Sequence, residues 1–304
     1  MDPASKVRAF VDGFKPSLTA FSTCAVLFEI AVLAWLKRPW KVKPRLMSIA
    51  CFLIASTAGG LFQYIVGYQV HAYVYRFRVF DFGFAWYGWV LCFLLIDSMF
   101  YVTHRMHHRV RLLWCVHSVH HSAEQFELTT GIRGSLFDTA SQFAVYAWLP
   151  LVGIHPLMYV ATDLIFKFLI FVYHTELVGR VGPLEHILVT PSAHRVHHGK
   201  NTKYLDRNYG GVFILLDKLL GTYQREEDHP EYGVRNKPAT NNILDTQLGE
   251  LAALWKDVVA APSMASKLAY VLKPPGWRHD GRGETSEELR EERGSMIPEV
   301  RNAA

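Results

Sequence analysis

The sequence predicts an all-α integral membrane protein, with about four to five transmembrane helices and a cytoplasmic helical cap. Three observations carry this. Half of the 304 residues are apolar and 19% are charged, against roughly 25% in an ordinary soluble domain. The apolar residues come in long blocks rather than amphipathic periods. The 15 histidines gather largely at or beyond the ends of those blocks. An aromatic content of 13% argues against disorder, and four cysteines without framework spacing argue against a disulfide scaffold. A net charge of +5 carries no nucleic-acid signature.

In chain order, the runs 18–36, 46–66 and 84–102 each reach the roughly 18 apolar residues that mark a spanning helix. The first is too long for a cleavable leader and lacks a small-residue cleavage site after it, so it is expected to stay as an anchor. The block 137–173 is too long for one span and is interrupted at Gly153 and at His155-Pro156, so it reads as a hairpin of two spans. The loop 37–45 holds five basic residues (Lys37, Arg38, Lys41, Lys43, Arg45) and no acidic one, which places it in the cytoplasm. The third run then returns His104 to the cytoplasmic face beside Arg105, Arg109 and Arg111. An out-and-back hairpin brings His174 to that same face. An odd number of crossings would separate the histidines. The host membrane would be the inner membrane in a bacterium or the endoplasmic reticulum in a eukaryote.

Residues 1–83 are expected to form N-terminal membrane helices, 84–223 the unit that carries the clustered histidines, 224–279 a helical extension and 280–304 a flexible, charged tail. Within the extension, the helical spacing of Leu244, Leu248, Leu251, Leu254 and Val258 is expected to pack on the cap in preference to gripping the membrane. A short helix is expected at 267–272. Charges inside the apolar blocks (Glu29, Asp97, Asp163, Lys167) should face a bundle interior. Glu29 reads as structural. Asp97 lies two turns before His104 on one face, and either orients a metal ligand or serves a structural role.

Three segments carry His-x-x-His-His: His104/His107/His108, His117/His120/His121 and His194/His197/His198. Chance predicts roughly 0.04 occurrences in such a chain. On a helix these positions share a face, so each segment can aim several imidazoles at one point. Neutral imidazole is the commonest side-chain ligand of zinc, iron, copper and nickel. Nine clustered rings exceed the three or four that a zinc ion uses, so two metals fit better. His71 and His155 read as interfacial polar residues, and His186, His229 and His279 as surface or loop positions.

The stretch 97–223 resembles the fatty acid hydroxylase/sterol desaturase superfamily of membrane, histidine-ligated di-iron oxygenases. The resemblance rests on Asp97-Ser-Met-Phe-Tyr-Val-Thr-His104 through His108, Trp114-Cys-Val-His117 through His121, His174-Thr-Glu176 and Thr190-Pro-Ser-Ala-His194 through Asn201. It continues through Tyr204-Leu-Asp-Arg-Asn208 and Leu216-Asp-Lys-Leu-Leu-Gly221-Thr-Tyr. The text around His117 and His194 is most similar to the alkylglycerol monooxygenase-like branch. What the resemblance implies is a His-rich dimetal site in the cap, ligated by His104, His108, His117, His120, His121, His174, His194, His197 and His198. It implies two iron ions, with zinc as a substitute, and O2 hydroxylating or desaturating a C–H bond of a bilayer lipid. Hydroxylation is favoured on resemblance alone. His107 departs from the pattern and is expected to support the ligands from behind or face solvent; Asp97 and Asn208 are supporting candidates. No catalytic group beyond the ligands is expected. Phe100, Tyr101, Trp114 and the aromatics of 164–173 are candidates to line a lipid slot.

Neither a dinucleotide fingerprint nor iron–sulfur cysteine spacing occurs. Electrons are therefore expected from a separate reductase or a diffusible donor; the branch resemblance implies a reduced pterin. The rival class is a membrane zinc or iron transporter or metal-binding protein. A transporter places ligands near the bilayer midplane, whereas these histidines lie at span ends. A zinc hydrolase is disfavoured because no His-Glu-x-x-His occurs.

Overall fold

The computed structural model describes residues 2–39, 41–235 and 237–296. Among them no strand forms a sheet; one isolated bridge joins Leu188 and Phe213. Three helices are long and apolar enough to cross a bilayer: α1 (Pro3–Trp35), α2 (Val42–Phe77) and α3 (Trp86–Arg109). The first begins well before the apolar run because Asp2 caps it, accepting from Ser5 N at 3.1 Å, with Pro3 in the first turn. Apolar composition delimits the part suited to lipid, not the helix. In α2 a π-helical segment, Gln63–Gly67, interrupts the α-helical run, and a 3-10 turn, Tyr75–Phe77, ends it.

Beyond α3 come α4 (Arg111–His121), α5 (Asp138–Tyr146), α6 (Pro156–Val172) and α7 (Pro191–His198). The expected hairpin is there, but its outgoing limb is not one helix. It is α5 followed by a four-residue helix, Leu149–Val152, while the return limb α6 has 17 residues. The turn falls at Gly153, whose φ is +114° and whose absent Cβ would lie 2.4 Å from the Phe80 carbonyl oxygen. Only glycine fits there. The hairpin starts beside His107, whose Nε2 is 3.0 Å from Ser141 Oγ, and ends in His174 at the same end of the bundle. Both ends of the hairpin thus lie at the histidine cluster, although neither limb is among the three helices long enough to span a bilayer. The core between α3 and α6 is built from Cys92, Ile96, Met158 and Phe166.

Two buried carboxylates tie the helices together at the histidine end. Glu29, on α1, accepts from Leu128 N at 2.6 Å and from the Thr175 hydroxyl, next to His174. Glu127 takes a two-pronged contact from Arg45 at 2.9–3.1 Å. Glu29 is thus structural, as its sequence context predicts.

The extension folds as α8 (Ile243–Ala260) and α9 (Met264–Leu272). Leu254, Val258, Ala261 and Tyr270 pack against Cys115 of α4, so one side of α8 lies on the cap. The charged terminal segment, expected to be flexible, contains α10 (Ser286–Met296). It is held by Glu287 on Arg109 (2.7 Å) and Arg290 on the Leu205 carbonyl (2.6 Å). Its remainder, 297–304, lies outside the described residues.

Candidate metal centre

Three local features deliver the histidines. α3 ends at Val110, which turns extended (φ −121°, ψ 116°), and α4 starts at once, so two His-bearing helices fold against each other. Thr190 and Pro191 start α7, with the Thr190 hydroxyl capping Ala193 N. His174 lies two residues past the end of α6, after the C-cap Tyr173.

The rings fall into two groups. His104, His108, His117, His121 and His197 form one; His120, His174, His194 and His198 form the other. Within each group the potential ligand atoms lie within 4.8 Å of one another. In the first, Nε2 atoms of 104 and 117, 117 and 121, and 121 and 197 stand 2.9, 3.2 and 3.1 Å apart. In the second, the pairs 120/174, 174/194 and 194/198 stand at 3.3, 2.8 and 3.1 Å. All nine rings predicted as ligands are therefore brought together. Adjacent residues divide between the groups: His120 from His121, and His197 from His198. Neighbours on a helix point about 100° apart, so one helix serves both groups.

The tautomers are fixed from behind. A carbonyl oxygen only accepts, so a ring nitrogen facing one must carry the proton. His104 donates from Nδ1 to the Tyr209 carbonyl (2.9 Å), His120 to Arg133 (3.1 Å), His174 to Ile170 (3.0 Å) and His197 to Arg207 (3.0 Å). Each neutral ring then presents a bare Nε2 lone pair to the centre of its group. His108 Nδ1 lies 3.5 Å from Asp206, while its buried Nε2 has no hydrogen-bond partner. Converging lone pairs and an orphaned buried nitrogen are what a soft or borderline cation satisfies.

Protonation is the other way to relieve lone-pair repulsion, and burial opposes it. Burial first, and the surrounding imidazoles second, hold His117, His121, His194, His197 and His198 well below the ordinary histidine range. Burial takes His120 down to about 4. These rings are neutral at physiological pH.

The supporting candidates act at different removes. His107 is buried, with Nδ1 donating to Thr103 O at 2.8 Å and Nε2 facing Ser141 Oγ at 3.0 Å, so both nitrogens are engaged outside either group. Asp97 touches no imidazole. It accepts from Val212 N (2.7 Å) and Phe213 N (3.2 Å), anchoring the loop whose Tyr209 carbonyl holds His104. Asn208, fully buried with φ +55°, donates to the carbonyls of Ala193 and Gln224 and accepts from Gln224 N, all within 2.8–2.9 Å. It pins α7 to the loop that supplies the Tyr209 and Arg207 carbonyls. Asp206 was not anticipated, since no sequence spacing links it to His108. Burial alone would raise its carboxyl, but the His108 hydrogen bond and the Arg109 and Arg290 charges hold it below the ordinary range.

Two sides of the centre differ in chemistry. Toward the spans, Phe93, Phe166 and Phe100 stack edge to face with centroids 5.4–5.9 Å apart, ending 5.0 Å from His104. Tyr173 flanks His194 at 4.6 Å. Of the other slot candidates, Tyr101 instead bonds Thr222 (2.9 Å), and Trp114 packs on His108 and His121. On the cap side, a cavity of about 170 Å³ reaches His108, His121, His197 and His198, walled by Lys200, Arg235 and Leu289.

This geometry coincides with a family assignment, because residues 89–222 match the fatty acid hydroxylase family model. That stretch holds all nine clustered rings. The chain belongs to the fatty acid hydroxylase family. It is 34% identical over 303 residues to an alkylglycerol monooxygenase of Homo sapiens, covering 95% of this chain and 65% of that protein. A Xenopus tropicalis alkylglycerol monooxygenase is 32% identical, over 84% of this chain and 58% of its own length. The ornithine lipid hydroxylase OlsE of Rhizobium tropici is 30% identical over 44% of this chain and 41% of its own. The chain thus spans between 46% and 65% of the alkylglycerol monooxygenases that it matches. No solved structure matches it.

Proposed function

We propose that this chain is a membrane-bound oxygenase that hydroxylates a C–H bond of a bilayer lipid with O2, using two iron ions held by the nine clustered histidines. The observation that carries the reading is the division of those rings into groups of five and four with facing Nε2 atoms. His104, His108, His117, His121 and His197 would hold one ion; His120, His174, His194 and His198 the other. Iron bound there supplies redox chemistry and O2 activation, which zinc in the same cage lacks.

The protein's own residues do the rest. Backbone carbonyls from Tyr209, Arg133, Ile170 and Arg207 keep the rings in one tautomer. The Phe93–Phe166–Phe100 column excludes water on the membrane side and offers an alkyl chain a dry approach to the centre. An unactivated methylene has no polar handle, so positioning sets where it is attacked. Turning C–H into C–OH takes one oxygen atom from O2; the other leaves as water, with two electrons and two protons from outside. The donor is a separate reductase or a diffusible reductant such as a reduced pterin, and the cap-side cavity gives small molecules access. The relatives' names support a glycerol ether lipid as the first substrate to test. The basic loop 37–45 supports placing the centre on the cytoplasmic face, in a bacterial inner membrane or the endoplasmic reticulum.

The test is metal analysis of purified protein together with lipid profiling of cells with and without it. Iron and an oxidised lipid are expected. Zinc alone with an unchanged lipidome would favour a metal transporter or metal-binding protein.

A further inference from the structure

Helix α8 touches α2 and two segments that adjoin α5 and α3, all on the histidine side. Ile243 packs on Met47, in the second turn of α2. Gln247 accepts from Leu136 N (2.9 Å) and donates to the Gly134 carbonyl (3.0 Å), just ahead of α5. Asp257 pairs with Arg111, two residues beyond the end of α3. The basic residues Lys41, Lys43, Arg105 and Arg109 lie at those ends, as at a cytoplasmic headgroup layer. A helix pinned near span ends at both of its own termini must run along that layer rather than rise from it.

Its apolar stripe has a covered edge and an open one. Leu251, Leu254 and Val258 pack with Cys115 and Tyr270. Beside them on the same stripe, Leu244, Leu248, Trp255 and Val259 are 67%, 36%, 68% and 60% exposed. Their spacing keeps them within about 60° of one another around the axis. On α9, Met264, Leu268 and Leu272, one turn apart, are exposed as well. The exposed charges on the pair are Lys256 and Lys273, whereas Asp245, Glu250 and Asp257 are turned partly inward, Glu250 onto Lys237. Exposed apolar surface with lysine and no exposed carboxylate is the signature of an in-plane helix on an anionic leaflet.

We infer that α8 and α9 form an in-plane membrane anchor, seated in the headgroup region of the leaflet that faces the histidine centre. The occupant of this face is the lipid bilayer. Through α4, the anchor sets the height of His117, His120 and His121 above the hydrocarbon. The inference does not depend on the metal or on the reaction.

The test uses the full-length chain in nanodiscs of mixed phosphatidylcholine and phosphatidylglycerol. Nitroxides are attached to Leu248→Cys, Val259→Cys and Leu268→Cys, with exposed Cys24 replaced by Ser. All three should relax more strongly with O2 than with a water-soluble nickel chelate, whereas a nitroxide at Glu231→Cys should show the reverse. In unlabelled protein, Trp255→Phe should remove part of the fluorescence quenching caused by brominated lipid. Nickel-dominated relaxation at the three sites would overturn the inference, as would dipolar broadening between copies or quenching unchanged by Trp255→Phe.

Discussion

His174 Nε2 lies 3.3 Å from His120 Nε2, although each ring already donates its Nδ1–H to a backbone carbonyl, Ile170 and Arg133 respectively. Both facing nitrogens are therefore bare in the neutral rings. Two lone pairs at that separation repel, and burial opposes the proton that would relieve them. A shared cation resolves the conflict. His120→Ala removes a ring from the group of four and His197→Ala one from the group of five. Each should lower bound metal toward one ion per chain and turnover by at least about 100-fold. Full metal content in either variant, measured by plasma mass spectrometry, would refute the partition.

Asp206 sits behind His108, with the nearest contact at 3.5 Å. Asp206→Asn keeps the shape and removes the charge that orients the ring. Metal affinity should fall about 10–100-fold, read by competition with a chelator. Unchanged affinity would leave Asp206 only its ion pair with Arg109.

Asn208 closes three buried hydrogen bonds between α7 and the following loop. Asn208→Ala leaves two carbonyls and one N–H unpaired and retains a left-handed backbone. Stability should drop by about 3 kcal/mol, measurable as a lowered Tm of the detergent-solubilised protein.

Gly211 faces the aromatic column, where an added Cβ would lie 2.4 Å from Phe166 Cζ. Gly211→Ala should displace that ring and raise KM for a long-chain lipid several-fold. Metal content should stay at the wild-type level, which separates a blocked approach from a damaged centre.

The pH dependence has a definite sign. Histidines whose folded pKa is depressed cost the native state nothing above the ordinary value near 6.5. Below it the unfolded chain binds protons that the folded site refuses, so stability and metal retention fall together as pH drops from about 6.5 toward about 4. Each such ring contributes a slope of about 1.4 kcal/mol per pH unit. Metal retained fully at pH 4.5 would contradict this.

Sequence alone revealed the helical membrane class and the nine rings, because run length and His-x-x-His-His spacing are local signals. The partition was hidden. It depends on where α3, α4, α6 and α7 cross, so that His120 joins His174 while His121 joins His197. Asp206 and the Tyr209 carbonyl were hidden for the same reason, since they meet the rings across a chain separation of about 100 residues. The ordered α10 was missed because its charge reads as tail, whereas Arg109 and the Leu205 carbonyl hold it in place.

The most direct measurement is the number of metal ions that the purified, metal-stripped chain takes up in an anaerobic ferrous titration followed by Mössbauer spectroscopy. Two equivalents per chain, both in nitrogen-rich environments, are predicted. Saturation at a single equivalent, or no uptake, would contradict the two-centre account.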